Sequence, residues 1–190
     1  MNSRIVGVEE ADFLLIVGSD PKQEAPVFNS RILRATRHNN LSVALLGTPV
    51  ELGYNYTHLG NSTKTLLEIA EGRHPICTKL ANAKLPMIIV GSKTLERHDG
   101  KAILEALHTI AENTPVINRK EGWNGFNVLH SDGARVGALD IGISSLPNPN
   151  AKKSKFVFIL GADNIRTDDI PEDAFVVYLV KHNSNGNFIN

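Results

Sequence analysis

The sequence is short of cysteine, of charge imbalance and of long apolar runs, and each shortage excludes something. A single cysteine, Cys77, cannot supply a disulfide framework, an all-cysteine zinc site or a self-contained iron–sulfur cluster, all of which need several thiolates. The 20 Lys and Arg residues balance the 20 Asp and Glu residues, so no charge excess marks a nucleic-acid binder or a polybasic membrane-surface protein. No apolar run approaches the roughly 20 residues that span a bilayer. Neither G-x-G-x-x-G nor G-x-x-x-x-G-K-[ST] occurs, so the specific dinucleotide and phosphate-loop patterns are missing. The start, Met1-Asn2-Ser3-Arg4-Ile5-Val6, has neither a signal-peptide core nor an Arg/Ser-rich transit pattern. It reads as a protein made where it works, one whose leader has been removed, or a start inside the coding region of a longer ancestor.

What is present is a repeated strand-then-glycine pattern. Phe13–Val17 leads into Gly18-Ser19-Asp20-Pro21, Val43–Leu46 into Gly47, Met87–Val90 into Gly91-Ser92, and Phe156–Leu160 into Gly161. A fifth run, Phe175–Val180, lacks the glycine. Continuous rather than alternating runs are the mark of strands buried on both faces of a parallel sheet. Glycine at the strand end lets the chain turn sharply toward a helix.

The intervals carry helical signals. Val27–Arg37 places Val27, Ile32 and Leu33 among polar residues and ends at Asn39-Asn40. Ser62 is placed to cap a helix bearing Leu66, Leu67, Ile69 and Ala70, closed by Gly72. After Asp99, an expected N-cap, Ile103, Leu104, Ala106, Leu107, Ile110 and Ala111 repeat at helical spacing. Strands alternating with helices predict an α/β fold with a mostly parallel sheet and right-handed crossovers. The 190 residues suit a single α/β domain, 1–190, with possible lobes at 5–84 and 85–182 and a tail at 183–190. Residues 50–61 read as a long loop, and 144–155 as a polar, proline-broken surface connection.

Candidate chemistry is sparse. The strand-end glycines read as tight βα turns, although the carboxyl edge of such a sheet remains the place to look for a ligand. Histidines stand at 38, 58, 74, 98, 108, 130 and 182. No two share the i, i+4 spacing of helical metal ligands, and no H-x-E or C-x-x-C accompanies them. Cys77, between Ile76 and Leu80, reads as a small core residue. Asp168-Asp169-Ile170-Pro171-Glu172-Asp173 reads as a solvated turn and helix start. Trp123, between Gly122 and Gly125, fits either an interface anchor or a ring packed over the core edge. No catalytic, cofactor-binding or metal-binding residue is assigned from these patterns.

Taken in order, several segments resemble the large iron–sulfur (75-kDa) subunit of respiratory complex I. They are Gly7-Val8-Glu9-Glu10-Ala11-Asp12, Gly18-Ser19-Asp20-Pro21 and Glu24 to Ile32, then His58-Leu59-Gly60 and Gly72-Arg73-His74-Pro75. Further on come Pro86-Met87, Arg97-His98-Asp99-Gly100, Phe126 to His130, Ala138 to Gly142 and Leu160-Gly161-Ala162-Asp163. The resemblance covers roughly residues 5–178 and has a mitochondrial or α-proteobacterial flavour. It departs after Tyr178, where the family continues with a glycine/histidine-rich turn that this sequence lacks.

The resemblance implies a Rossmann-like domain similar to the molybdopterin oxidoreductases, in a branch that has lost the molybdenum cofactor. No cofactor ligand therefore carries over to any residue here. It implies a non-redox structural segment in the peripheral matrix arm of the complex, at the mitochondrial inner membrane. NADH oxidation, ubiquinone reduction and proton pumping would be activities of the whole assembly, with iron–sulfur clusters and FMN held by other chains. The implied partners are a separate cluster-bearing N-terminal half of the same subunit and other matrix-arm subunits. No nucleic acid and no direct membrane span are implied. The alternatives are a free-standing pterin- or nucleotide-binding enzyme, and a soluble assembly or adaptor protein.

Overall fold

The computed structural model describes residues 2–117, 122–143, 154–161, 165 and 170–179. The chain divides into two compact units, Met1–Gly137 and Ala138–Asn190.

The first unit is built on five strands: β1 Phe13–Val17, β2 Ser42–Leu46, β3 Thr57–Gly60, β4 Pro86–Gly91 and β5 Phe126–Leu129. They form one sheet in the order β3-β2-β1-β4-β5, and every pairing is parallel. Three of the four connections carry the helices α2 Pro26–His38, then α3 Thr63–Ala70 and α4 Ile76–Asn82 together, then α6 Gly100–Glu112, with one-turn helices α1 Pro21–Glu24 and α5 Ser92–Leu95 directly after β1 and β4. The mostly parallel α/β fold expected from the apolar runs is what forms. A lobe division at 84/85 does not. β4 pairs with β1 along its length, Phe13 opposite Pro86 through Val17 opposite Val90, so the two expected lobes share one sheet. Asp12 reinforces that joint below the strands, its carboxylate accepting from the Lys84 and Leu85 amides at 2.6 and 2.9 Å.

Strand order reverses after β3, and because parallel crossovers are right-handed, the helices fall on opposite faces. The side chains of β1 separate the same way, as the period of two requires. Phe13, Leu15 and Val17 face a core made with Leu66 and Ile69 of α3, Ile76 and Leu80 of α4, and Ile103, Leu107 and Ile110 of α6. Leu14 and Ile16 face the other core, with Phe28 and Ile32 of α2, Leu52 and Trp123. All five residues of β1 are buried, which is why its sequence shows no polar alternation.

Local signals account for most boundaries. Ser62 Oγ accepts from the Lys64 amide at 3.2 Å, and Gly72 at φ 74° ends the turn after α3. Asn40 at φ 54° follows α2. Residues 50–61, expected to be loop throughout, contain β3. It is a short edge strand with two exposed positions, so it needs no apolar run and leaves none in the sequence. The apolar stripe of α6 is narrower than its spacing implies: Leu104 is 41% exposed while Ile103, Leu107, Ile110 and Ala111 are buried.

The second unit contains β6 Phe156–Leu160 and β7 Phe175–Leu179, a parallel pair with Phe156 opposite Phe175 and Leu160 opposite Leu179. Between Arg135 and Asp140 lies the short helix α7. Most of the 144–155 connection, Asp168, Asp169, Val180, His182 and the 183–190 tail lie outside the described residues. Of the acidic segment, Glu172 and Asp173 form a turn, with the Ala174 amide donating to the Pro171 carbonyl at 3.0 Å.

Candidate functional site

In an open parallel sheet a ligand crevice forms at the carboxyl edge where strand order reverses, here between β1 and β4. The chain closes this crevice on itself. Gly18, at φ 55°, turns its carbonyl to accept from the Thr94 hydroxyl of α5 at 2.8 Å. A Cβ placed on Gly18 would collide with that hydroxyl, and one placed on Gly91 would lie 2.6 Å from the Gly18 oxygen. These two glycines permit close packing of strand ends rather than leaving a cradle.

Beside the closed point lies an open cleft of about 400 Å³, walled by Gly18, Asp20, Thr48, Ser62, Thr94 and Arg97 among others. The volume is within the range of small-molecule sites, about 300–1,000 Å³. Several of its polar groups already have partners within the chain. Ser19 Oγ donates to Glu24 Oε2 at 2.6 Å. Arg97 donates from Nε and Nη2 to the Asp99 carboxylate at 2.8 and 2.9 Å, which holds the Asp99 carboxyl below the usual carboxylate range. Asp99 does stand at the N-cap position of α6, yet its side chain makes no capping bond. The adjacent arginine has taken the carboxylate instead.

The turn after β1 is the most informative feature. A helix N-terminus at that place offers its free amides to a phosphate. Here Asp20 caps α1, accepting from the Lys22 and Gln23 amides at 3.0 and 3.4 Å, and Pro21 at the first helical position has no N–H. The anion position is filled by the protein's own carboxylate.

The remaining candidates of the sequence are dispersed. His58 Nε2 lies 2.8 Å from the Gly47 carbonyl, His74 Nδ1 accepts from the Ile76 amide at 3.2 Å, and His108 stands 3.4 Å from Glu112. His38 and His98 are exposed. His130, just beyond β5, has a buried Nδ1 without a hydrogen-bond partner among the described residues. Burial, and then the neighbouring Arg135, push its imidazole pKa down. Among the described residues no three His, Cys, Asp or Glu side chains gather into a metal-binding group. Cys77 is half-buried against the first core, with Sγ 3.4 Å from the Ile69 carbonyl. Trp123 is a core residue rather than an interface anchor, only 7% exposed with Nε1 donating to the Pro86 carbonyl at 3.2 Å.

A parallel sheet in this order, doubly wound with its turns at the carboxyl edge, has the architecture of nucleotide-binding α/β domains. The family profile described as molybdopterin oxidoreductase matches residues 1–190, and the chain belongs to that family. Within it, the chain is 42% identical over 186 residues to NADH dehydrogenase (ubiquinone) iron-sulfur protein 1, mitochondrial, of Solanum tuberosum, a match covering 98% of this chain and 25% of that protein. It is 41% identical over 191 residues to the NADH-ubiquinone oxidoreductase 75 kDa subunit of Reclinomonas americana, covering 97% of this chain and 27% of that protein. With the NADH-ubiquinone oxidoreductase 78 kDa subunit, mitochondrial, of Candida albicans the identity is 40% over 185 residues, covering 97% and 25%. The resemblance to the complex I subunit is therefore confirmed, and the chain spans about a quarter of the length of these relatives.

The family name implies a pterin cofactor, and the residues at the first βα turn do not fit one. A phosphate there would have to displace the Asp20 carboxylate from the Lys22 amide, and the crevice beside it holds the Thr94 hydroxyl.

Proposed function

We propose that this chain is a structural segment of the large 75-kDa subunit in the peripheral, matrix-side arm of NADH:ubiquinone oxidoreductase at the mitochondrial inner membrane. On this reading it supports electron transfer from NADH to ubiquinone without handling electrons itself. The carrying observation is 42% identity over 98% of the chain to a relative named as that subunit.

The chain holds no catalytic, metal-binding or cofactor-binding residue on this reading, and the iron–sulfur clusters and FMN reside on other chains. Support comes from the carboxylate-filled turn after β1, from the self-closed crevice, and from a single, half-buried cysteine. The same features weigh against a free-standing nucleotide- or pterin-binding enzyme. No described helix is long and apolar enough to cross a membrane, which suits a peripheral position. Its partners would be the cluster-bearing N-terminal half of the subunit and other matrix-arm subunits.

The test is native-gel separation of the source membranes followed by mass spectrometry of active complex I. The expected result is this sequence at one copy per complex together with cluster-bearing 75-kDa sequence. Its absence from mature, active complex would overturn the proposal and leave an assembly or adaptor role in its place.

A further inference from the structure

Asn127 is the one polar side chain of β5, and it is 1% exposed. A buried amide is tolerated only when its hydrogen bonds are met. It has two donor and two acceptor positions, and each has a partner. Nδ2 donates to the Ser3 hydroxyl and the Gly125 carbonyl, both at 3.1 Å. Oδ1 accepts from the Asn2 and Ser3 amides at 2.7 and 3.3 Å. A carbonyl at one end and amides at the other fix which atom of the side chain is which. Three of these four bonds go to residues 2 and 3, which are 124 or 125 positions away in the chain.

The same segment meets the backbone of β5. The Gly125 carbonyl accepts from the Ile88 amide of β4 at 2.8 Å, so the next carbonyl, that of Phe126, points away from β4. Among the described residues β5 ends the sheet, and Asn2 Nδ2 donates to that Phe126 carbonyl at 2.7 Å. An edge strand with open backbone groups invites another strand, and native proteins cover such groups. Beyond this contact the chain turns back at Arg4, whose φ is 58°. Residues with a Cβ enter that region only at a cost. The turn is held from both sides, by the docked Ser3 and by the Gly7 amide, which donates to the Arg4 carbonyl at 3.2 Å. A Cβ on Gly7 would lie 3.2 Å from that of Ser3, so glycine there lets the segment lie close.

We infer that residues 2–4 form a strap that caps the outer edge of β5 at Phe126, with Asn127 as its latch. The strap opens and closes as a unit while the five-stranded sheet stays folded. Asn127 is a positioning residue, buried to hold the strap and not to fill the core.

Limited trypsin digestion of the full chain tests it, because trypsin cuts after Arg4 only when the strap is open and extended. Cleavage of the Arg4–Ile5 bond is followed by mass spectrometry under native conditions. Asn2→Pro deletes the amide and the side-chain donor of an exposed residue and leaves the core untouched. Asn127→Ala deletes the latch. Each is expected to speed this cleavage about tenfold, roughly the factor that one lost hydrogen bond carries, with tryptic sites elsewhere cut at the parent rate. The double variant should be no faster than the faster single one, since both substitutions release the same docked segment. Effects that multiply in the double variant, or an Asn2→Pro chain cut no faster than the parent, would overturn the inference. If Asn127→Ala speeds cleavage at every site, the whole fold has loosened and the Asn2→Pro comparison decides by itself.

Discussion

Tyr54 carries its hydroxyl from the segment after β2 down to α2, donating to Asn29 Oδ1 at 2.8 Å, while Asn29 Nδ2 donates to the Leu52 carbonyl at 3.0 Å. Burial, and then the negative charge of Asp20, push the phenol pKa well above its usual value. The folded state thus favours the neutral phenol. Its stabilising contribution is complete below the unfolded pKa of about 10 and is lost as pH rises from there toward the folded value. In Tyr54→Phe we expect urea unfolding to show a shallower loss of stability above about pH 10, with about 0.5–1.5 kcal/mol less stability at neutral pH from the missing hydrogen bond. An unchanged alkaline slope would remove Tyr54 from this role. At this scale the sequence was legible where the residue's chemistry is local. Ser62 caps α3 and Gly72 adopts a positive φ, as their positions suggest. Asp20-Pro21 carries the same kind of signal, a capping residue before a proline. Asp99 takes the N-cap position of α6 that its place suggests, but its carboxylate is held by Arg97, two residues away.

Helix α6 shows what spacing can and cannot settle for an element. Ile103, Leu107, Ile110 and Ala111 lie buried against β1, β4, α3 and α4 residues, whereas Leu104, equally apolar in sequence, is 41% exposed. Leu107→Ala should cost about 2–5 kcal/mol, combining lost transfer energy with a residual cavity. Leu104→Ala should stay within about 0.5 kcal/mol of the parent, as surface substitutions do. Chemical denaturation of the two variants reads the difference, and equal costs would mean that the buried stripe has been misplaced. Periodicity identified the helix because 13 residues provide several turns of pattern. It could not decide the edge of the stripe, which depends on which neighbours pack against the helix. Short elements left no period to read. β3 and β5 have four residues each, and both lie at the outer edges of the sheet, where burial on two faces is not required.

For the whole molecule, the joint between β1 and β4 links stretches of chain some 70 residues apart, as in Phe13 opposite Pro86. Gly91→Ala would put a Cβ 2.6 Å from the Gly18 carbonyl oxygen, a backbone atom that cannot rotate away. We expect about 1–3 kcal/mol of destabilisation, as overpacking typically costs, while Gly133→Ala, which meets open space, should change stability by no more than about 0.5 kcal/mol. Thermal unfolding of both variants tests whether this close approach holds the sheet together. The sequence by itself determined the fold class and the family. Continuous apolar runs report burial on both faces, and a string of local motifs reports descent, and both are properties of residues near one another in the chain. Only the tertiary structure decided that β4 lies beside β1, so that the chain divides within α7 and not at 84/85. It alone decided that Thr94 closes the crevice at the strand reversal. The physical reason is the same in each case: such contacts join residues far apart in sequence, and no local pattern of polarity or spacing encodes which distant partner will arrive.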